Sequence, residues 1–252
     1  NLGDDFLILG EIIGKRLNGF KLTKIEDYSF LEEKANVSLV EGRFIIIKIS
    51  NKNKISVWSD QFGRADIYWV DNGKGKTIIT SGMDLIPTSI NKGEVDQNAL
   101  AQLLTIYGSR PLKKHTLYKN IRRLGIQESL TIFKGVSTIT KKIFEARTSF
   151  SKDDTSKLDD YSDIFIEAVR ARSSETQNII FLSSGWDSTS ILATLAHLGD
   201  VSKIECIIGR MRYSKRSEII NQFELDRAQK MADYYNVKLH IVEFDYTESV
   251  QE

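Results

Sequence analysis

The residues with the most chemical promise lie together in Ser183-Ser184-Gly185-Trp186-Asp187-Ser188, where hydroxyls, a glycine and a carboxylate share one short stretch. Hydroxyls donate to anions, and a glycine lets the backbone approach closely or take a positive φ that a side chain opposes. A carboxylate beside a polyphosphate is repelled unless a cation such as Mg²⁺ lies between them, so Asp187 points to a metal–nucleotide complex. The same residues also suit an ordinary strand-to-helix turn, with Asp187 or Ser188 as helix cap and Gly185 as turn residue.

The flanking sequence must position this stretch. Ile179, Ile180, Phe181 and Leu182 form a short apolar run ended by turn residues, the pattern of a buried parallel strand. Beyond Asp187, the residues Ile191, Leu192, Leu195 and Leu198 recur on one face of an amphipathic helix. A strand, a small-residue loop and a helix in that order leave the first helical N–H groups unpaired at the positive end of the helix dipole. Such a junction favours an anion, phosphate foremost.

Upstream, Lys157 to Arg172 reads as a helix with Tyr161, Ile164, Phe165, Ala168 and Val169 on its apolar side. Downstream, Ile204 to Ile208 reads as a second strand ending in Gly209, and Arg210 to Glu218 as a charged loop. A helix with Ala228, Met231, Ala232 and Tyr235 on one face follows, then Val237 to Phe244 as a third strand. This alternation predicts a doubly wound parallel sheet, in which ligands bind at the carboxyl ends of the strands. Ser183 to Ser188 and Ile208-Gly209 both fall at that edge.

The first half reads differently. Phe6 to Ile13 fits a strand or a short helix, while Phe44 to Ile49, Ile55 to Trp58, Ile67 to Val70 and Thr77 to Thr80 carry strand signals. Turn chemistry at Asn51-Lys52-Asn53, Asp60-Gln61-Phe62-Gly63-Arg64 and Asp71-Asn72-Gly73 separates them and predicts an antiparallel meander. Asp96 offers an N-cap to a helix whose Leu100, Leu103, Leu104 and Tyr107 share a face, with Gly108 as its stop. Ser129 to Phe133 and Ile139 to Phe144 read as further strands. Phe62-Gly63-Arg64 and Arg122-Arg123 read as a hairpin turn and a solvated basic pair rather than anion sites. Trp58, Tyr68 and Trp69 read as packing residues rather than a ligand platform. Ser149 to Asp160, rich in Ser, Lys, Asp and Thr, is the linker between a first domain at 1–148 and a second at 149–252.

The whole chain has 252 residues, 41% of them hydrophobic, and a net charge of +1. That balance gives no electrostatic case for nucleic acid or an anionic membrane, and no apolar run is long enough to span a bilayer. The single cysteine, Cys206, excludes an internal disulfide and fits a reducing cytoplasm. Set within a hydrophobic strand, it reads as a buried, inert thiol. His197 and His240 read as helix and strand residues and His115 as a loop residue, with no Cys/His spacing of a zinc site.

Ser183-Ser184-Gly185-Trp186-Asp187-Ser188 resembles the Ser-Gly-Gly-x-Asp-Ser loop of the ATP pyrophosphatases, with Ser184 where that family has its first glycine. More of the second half is similar to the synthetase domain of the asparagine synthetase family: Glu167-Ala168-Val169-Arg170, Phe181 to Ser188, Glu224, Ala228, Ala232 and His240. The first half resembles, more weakly, the later part of that family's glutaminase domain. Asp60-Gln61-Phe62-Gly63-Arg64 matches its Asp-Arg-Phe-Gly and Ser81 its Ala-Ser-Glu region, while Asp96 to Gly108 with Thr116, Ile121 and Leu124 follows its closing pattern.

The resemblance implies an α/β chain with an N-terminal α+β domain. That domain is a layered, N-terminal-nucleophile-like β domain. A doubly wound parallel-sheet ATP-pyrophosphatase domain of the adenine nucleotide alpha hydrolase-like type, incomplete at the C-terminus, follows it. It implies ATP and Mg²⁺, with Asp187 on the metal, Ser183, Gly185 and Ser188 at the pyrophosphate portion, Ser184 in the same cofactor-binding loop, and Leu182, Ile208 and Gly209 bordering the adenosine. The activity implied is an amide-forming ligase that activates a carboxylate as its acyl-adenylate for attack by an amine or ammonia. The family's N-terminal cysteine is replaced by Asn1, and its later Gly-Glu-x-x-Asp-Glu loop is absent, so a missing C-terminal segment or a partner chain is expected to complete the site. β-Lactam synthetases and lasso-peptide cyclases in the family use an amine directly. The competing expectation is a non-catalytic pseudo-synthetase scaffold that binds nucleotide or a partner protein.

Overall fold

The computed structural model describes residues 5–16, 21–50, 54–71, 75–87, 89–90, 93–107, 113–141, 156–211 and 215–244. They belong to two compact units, Asn1–Lys152 and Asp153–Glu252. The expected turns at 51–53 and 72–73, the helix stop at Gly108, the strand end at 142–144 and most of the linker lie outside the described residues.

The first unit carries β1 (Asp5–Arg16), β2 (Leu22–Thr23), β3 (Val40–Ser50), β4 (Lys54–Ser59), β5 (Tyr68–Asp71), β6 (Thr77–Thr80), β7 (Ile121–Arg123), β8 (Glu128–Phe133) and β9 (Val136–Lys141). A six-stranded sheet runs β2-β1-β3-β4-β8-β9 and a three-stranded one β6-β5-β7, with antiparallel pairing throughout. The ambiguous N-terminal run is a strand because it pairs along β3 from Asp5↔Ile49 to Lys15↔Val40, with a bulge between Ile12 and Gly14. Gly10 within it has φ +110, and a Cβ there would collide with the Arg43 carbonyl.

The predicted meander is corrected at Asp60. β3–β4 and β5–β6 pair as neighbours, but β4 pairs with β8, and the segment after β4 crosses to the other sheet. The cause is a carboxylate. Asp60, only 2% exposed, accepts the N–H groups of Phe62 (3.0 Å), Arg64 (2.9 Å) and Ala65 (3.4 Å). Arg64 pairs with it at 3.6 Å and donates to Glu41 Oε1 at 2.8 Å. This corner replaces the expected hairpin turn. It lets Ile45, Val57 and Leu130 of the large sheet pack with Ile67, Trp69 and Leu124. On the large sheet's other face, Phe44, Ile46 and Trp58 pack with Ile25, Leu31 and Val37, the last two in 3-10 turns at Ser29–Glu32 and Lys34–Leu39. Trp58 and Trp69 thus fill separate cores.

The solvated basic pair is also corrected. Arg123 is buried, donates through Nε to the Lys113 carbonyl and lies 3.7 Å from Asp66. Only Arg122 is exposed, its guanidinium 5.1 Å from the Trp69 ring. Asp96 caps α1 (Gln97–Gln102) by accepting from Asn98 N–H at 3.0 Å and Ala99 N–H at 3.1 Å. The helix then widens into a π-turn at Leu103–Tyr107, which shifts the expected face: Ala99 is buried and Leu104 exposed.

The second unit contains α2 (Ser156–Arg170), β10 (Asn178–Phe181), α3 (Trp186–Leu198), β11 (Ile204–Met211), α4 (Lys215–Tyr235) and β12 (Lys238–Phe244). The strands form a parallel sheet in the order β10-β11-β12, with Ile180↔Cys206 and Cys206↔Leu239 in register. β11 extends two residues past Gly209, so Arg210 and Met211 belong to a strand rather than to the expected loop. Ile180, Leu182, Cys206 and Ile208 pack with Leu192, Leu195, Leu225, Ala228 and Ala232. Ile191 and Tyr161, expected on apolar faces, are exposed. The expectation that β10 is buried on both sides fails: Phe181 is 80% exposed and Ile179 is exposed too. Helices cover one face of the sheet, and the alternation of a strand sends Ile179, Phe181 and, on β12, Val242 and Phe244 to the other.

Two outcomes follow from these cores. Cys206 is fully buried and burial pushes its thiol up to about 11, so the native protein should leave it unmodified by a disulfide thiol reagent at pH 8. Denaturant should release one reactive thiol per chain, and rapid native labelling contradicts the packing. Asp60→Ala strands buried N–H donors and Arg64, and should lower stability by about 3 kcal/mol, read as a fall in the urea midpoint; an unchanged midpoint contradicts the corner's role.

Candidate functional site

The sheet's hydrogen bonding reaches one residue past β10, where Leu182 N–H donates to the Ile207 carbonyl at 2.9 Å. The chain then leaves the sheet at Ser183 and bends into α3. Within the bend the serines bind each other. Ser183 N–H donates to Ser188 Oγ at 3.0 Å, the two hydroxyls lie 2.9 Å apart, and Gly185 N–H donates to Ser183 Oγ at 3.2 Å. The Ser188 hydroxyl also faces the carbonyls of Ser183 (3.3 Å) and Gly185 (3.4 Å).

Gly185 is the N-cap of α3, with φ −84 and ψ 157 and no side-chain capping bond. This is extended backbone open to any residue, and a Cβ there would meet only Ser183 Oγ at 3.3 Å, so of the two uses expected of this glycine, close approach or a positive φ, the positive φ is absent. Neither Asp187 nor Ser188 is the cap. The first intrahelical bond runs from Thr189 N–H to the Gly185 carbonyl at 3.3 Å. The N–H groups of Trp186, Asp187 and Ser188 precede it, and they form the available donors of a helix amino end. Asp187 sits in this first turn, exposed to solvent.

The other predicted residues divide by atom. Leu182 and Ile208 have side chains packed in the core, so any border they give a nucleoside is main chain. The Gly209 carbonyl accepts from Nδ2 of Asn221 at 3.1 Å. Asn221 is buried, and its polar side chain on the otherwise apolar face of α4 is the signal that could have marked it.

A cleft of about 250 Å³ adjoins the bend, lined by Ser184, Gly185, Trp186 and Thr189 on one side and Arg227, Lys230 and Met231 of α4 on the other. The sequence reading did not single out Arg227 and Lys230. A larger hollow of about 320 Å³ lies at the opposite end of β10, between Ser173–Asn178 and Leu198–Ile204. Its polar groups serve local turns: Ser174 N–H donates to Asn178 Oδ1 at 2.8 Å and Ser202 N–H to Asp200 Oδ1 at 2.9 Å. Size alone does not mark the chemistry here.

Among the described residues no three His, Cys, Asp or Glu side chains converge on a point that could hold a metal ion. Mg²⁺ takes one or two carboxylates and completes its shell with phosphate oxygens and water, so the lone Asp187 fits a cation arriving with a nucleotide rather than a resident metal. His240 Nε2 lies 2.6 Å from Glu205 Oε2 and His115 Nδ1 3.7 Å from Asp96 Oδ2, so both have protein partners. Among the described residues no helix is long and apolar enough to cross a membrane. No protein-family model matches the chain, and no curated protein matches it.

Ser188→Ala removes the acceptor of Ser183 N–H and should destabilise the bend by about 1 kcal/mol. Amide exchange at Ser183 should quicken by about fivefold, while exchange in β11 stays unchanged; equal protection in both proteins would show that the hydroxyl does not hold the bend.

Proposed function

We propose that the protein is an ATP-dependent amide-forming ligase of the asparagine synthetase type, without a working glutaminase of its own. The bend at the carboxyl end of β10 supports this reading. It brings the N–H groups of Trp186, Asp187 and Ser188, the hydroxyls of Ser183 and Ser188 and the exposed Asp187 to one edge of a parallel sheet. In this reading the unit is the first part of an ATP-pyrophosphatase fold and the N-terminal unit a degenerate glutaminase-like domain.

The substrate carboxylate attacks the α-phosphorus of ATP, the bond from that phosphorus to the αβ-bridging oxygen breaks, and pyrophosphate leaves with the electron pair. An amine or ammonia then attacks the acyl carbon and AMP departs. The chain's own groups bind and orient. The amide donors at the start of α3 receive the pyrophosphate portion, where charge develops. Ser183 and Ser188 turn their hydroxyls from each other to phosphate oxygens, and Ser184 and Gly185 keep the approach open. The backbone of Leu182, Ile208 and Gly209 borders the adenosine. Asp187 would hold Mg²⁺, which when bound neutralises phosphate charge.

A second reading, a pseudo-synthetase scaffold, draws on the bend's own bonding. Two of its amides are already tied to hydroxyls, and Ser184 stands where the family has glycine. Calorimetry with Mg·ATP and pyrophosphate exchange across a panel of carboxylates separate the two. The ligase should bind Mg·ATP and exchange pyrophosphate, and Asp187→Asn should weaken Mg²⁺-dependent binding by about tenfold. Absence of Mg·ATP binding rejects the ligase, and binding without exchange selects the scaffold.

A further inference from the structure

The face of α4 turned away from the core is unlike a solvated helix face. At about 100° per residue, Leu225, Ala228 and Ala232, all buried, mark the core side, and Ile219, Phe223, Arg227, Lys230 and Tyr234 fall within an arc of about 80° opposite them. Ile219 is 75% exposed, Phe223 60% and Tyr234 78%, so large apolar groups and cations, with no acidic residue, make up the stripe. Across the cleft, Trp186 of α3 is 86% exposed and borders Arg227 and Lys230. The Arg227 guanidinium lies 5.4 Å from the Phe223 ring, and neither cation has a carboxylate partner among the described residues.

We propose that this stripe, with Trp186, is the docking surface for an acidic segment of a partner protein that carries apolar side chains beside its carboxylates. Tryptophan, tyrosine and arginine are the residue types that dominate binding hot spots, and here Trp186 and Arg227 line one cleft while Tyr234 lies exposed on the same face of α4 as Arg227. Charge decides the occupant. Arg227 and Lys230 are the charged groups at the stripe's centre, with Asp226 and Asp233 bordering it on one side, so a twofold contact whose axis passes between Arg227 and Lys230 would set the cations of one copy against those of the other, a destabilising arrangement that an anionic partner reverses. The apolar flanks require more than charge, which separates a peptide with carboxylates between leucines or phenylalanines from a simple polyanion. The proposal needs no ligand on the bend, although Trp186, Arg227 and Lys230 line the cleft beside it.

The test uses the intact chain and dye-labelled synthetic helical peptides whose one face alternates Glu with Leu and Phe, with counterparts carrying Lys or Gln in place of Glu, and a thymidine oligonucleotide. Anisotropy should show binding of the acidic peptide, weaker binding of the Gln peptide and none of the Lys peptide. The double variant Arg227→Glu, Lys230→Glu and the single variant Phe223→Ala should each weaken it by about tenfold. Protection of Cys206 from thiol reagent and an unchanged circular dichroism spectrum show that the variants remain folded. Three results overturn the proposal: acidic and basic peptides bind alike or not at all, the oligonucleotide binds in preference to the peptides, or sedimentation shows a dimer that Phe223→Ala dissolves.

Discussion

The parallel pairing of β10 with β11 is the constraint on which the second unit depends. It puts Ile180 beside Cys206, and the last bond of the ladder, from Leu182 N–H to the Ile207 carbonyl, fixes where the chain must leave the sheet. A slip of one residue would carry Leu182 and Ile180 to the open face and bring Phe181 into the core. The bend, the start of α3 and the position of Asp187 all follow from that one register. The serine hydroxyls then hold the bend's shape without glycine-specific backbone, which is why Ser184 and an extended Gly185 suffice for it.

The first unit rests on a different device. Its sheets are joined by a corner in which one carboxylate gathers three backbone donors and an arginine, and Glu41 holds the same arginine from β3. Buried charge of this kind is retained only when every lone pair finds a donor. The arrangement at Lys113, Asp66 and Arg123 repeats the principle beside β7, where the buried guanidinium also secures the Lys113 carbonyl. Both devices bind loops to strands.

Periodicity marked most strands and helices because alternation and the helical repeat are local properties of the chain. Pairing is not local. Nothing near Trp58 shows that its neighbour across the ladder is Ser129, and so the predicted meander failed where Asp60 turns the chain out of the sheet. Ile179 to Leu182 is apolar at every position, which implied two covered faces, whereas alternation alone decides that Ile180 and Leu182 are covered while Ile179 and Phe181 are not. The bend was readable from residue types. The contributions of Asn221, Arg227 and Lys230 were not, because they come from a helix whose place beside α3 is set by the sheet order. Tyr161 and Leu104 show the converse error, apolar residues at helical spacing that stay largely exposed.

β10 has one hydrogen-bonded neighbour among the described strands, and the side chains beside its free margin are Ile179 and Phe181. A straight, oily margin of that sort is a template on which another chain's extended segment can register and propagate. Lysine or proline placed at position 179 is the natural gatekeeper against such templated growth, since the site contributes nothing to the packed interior.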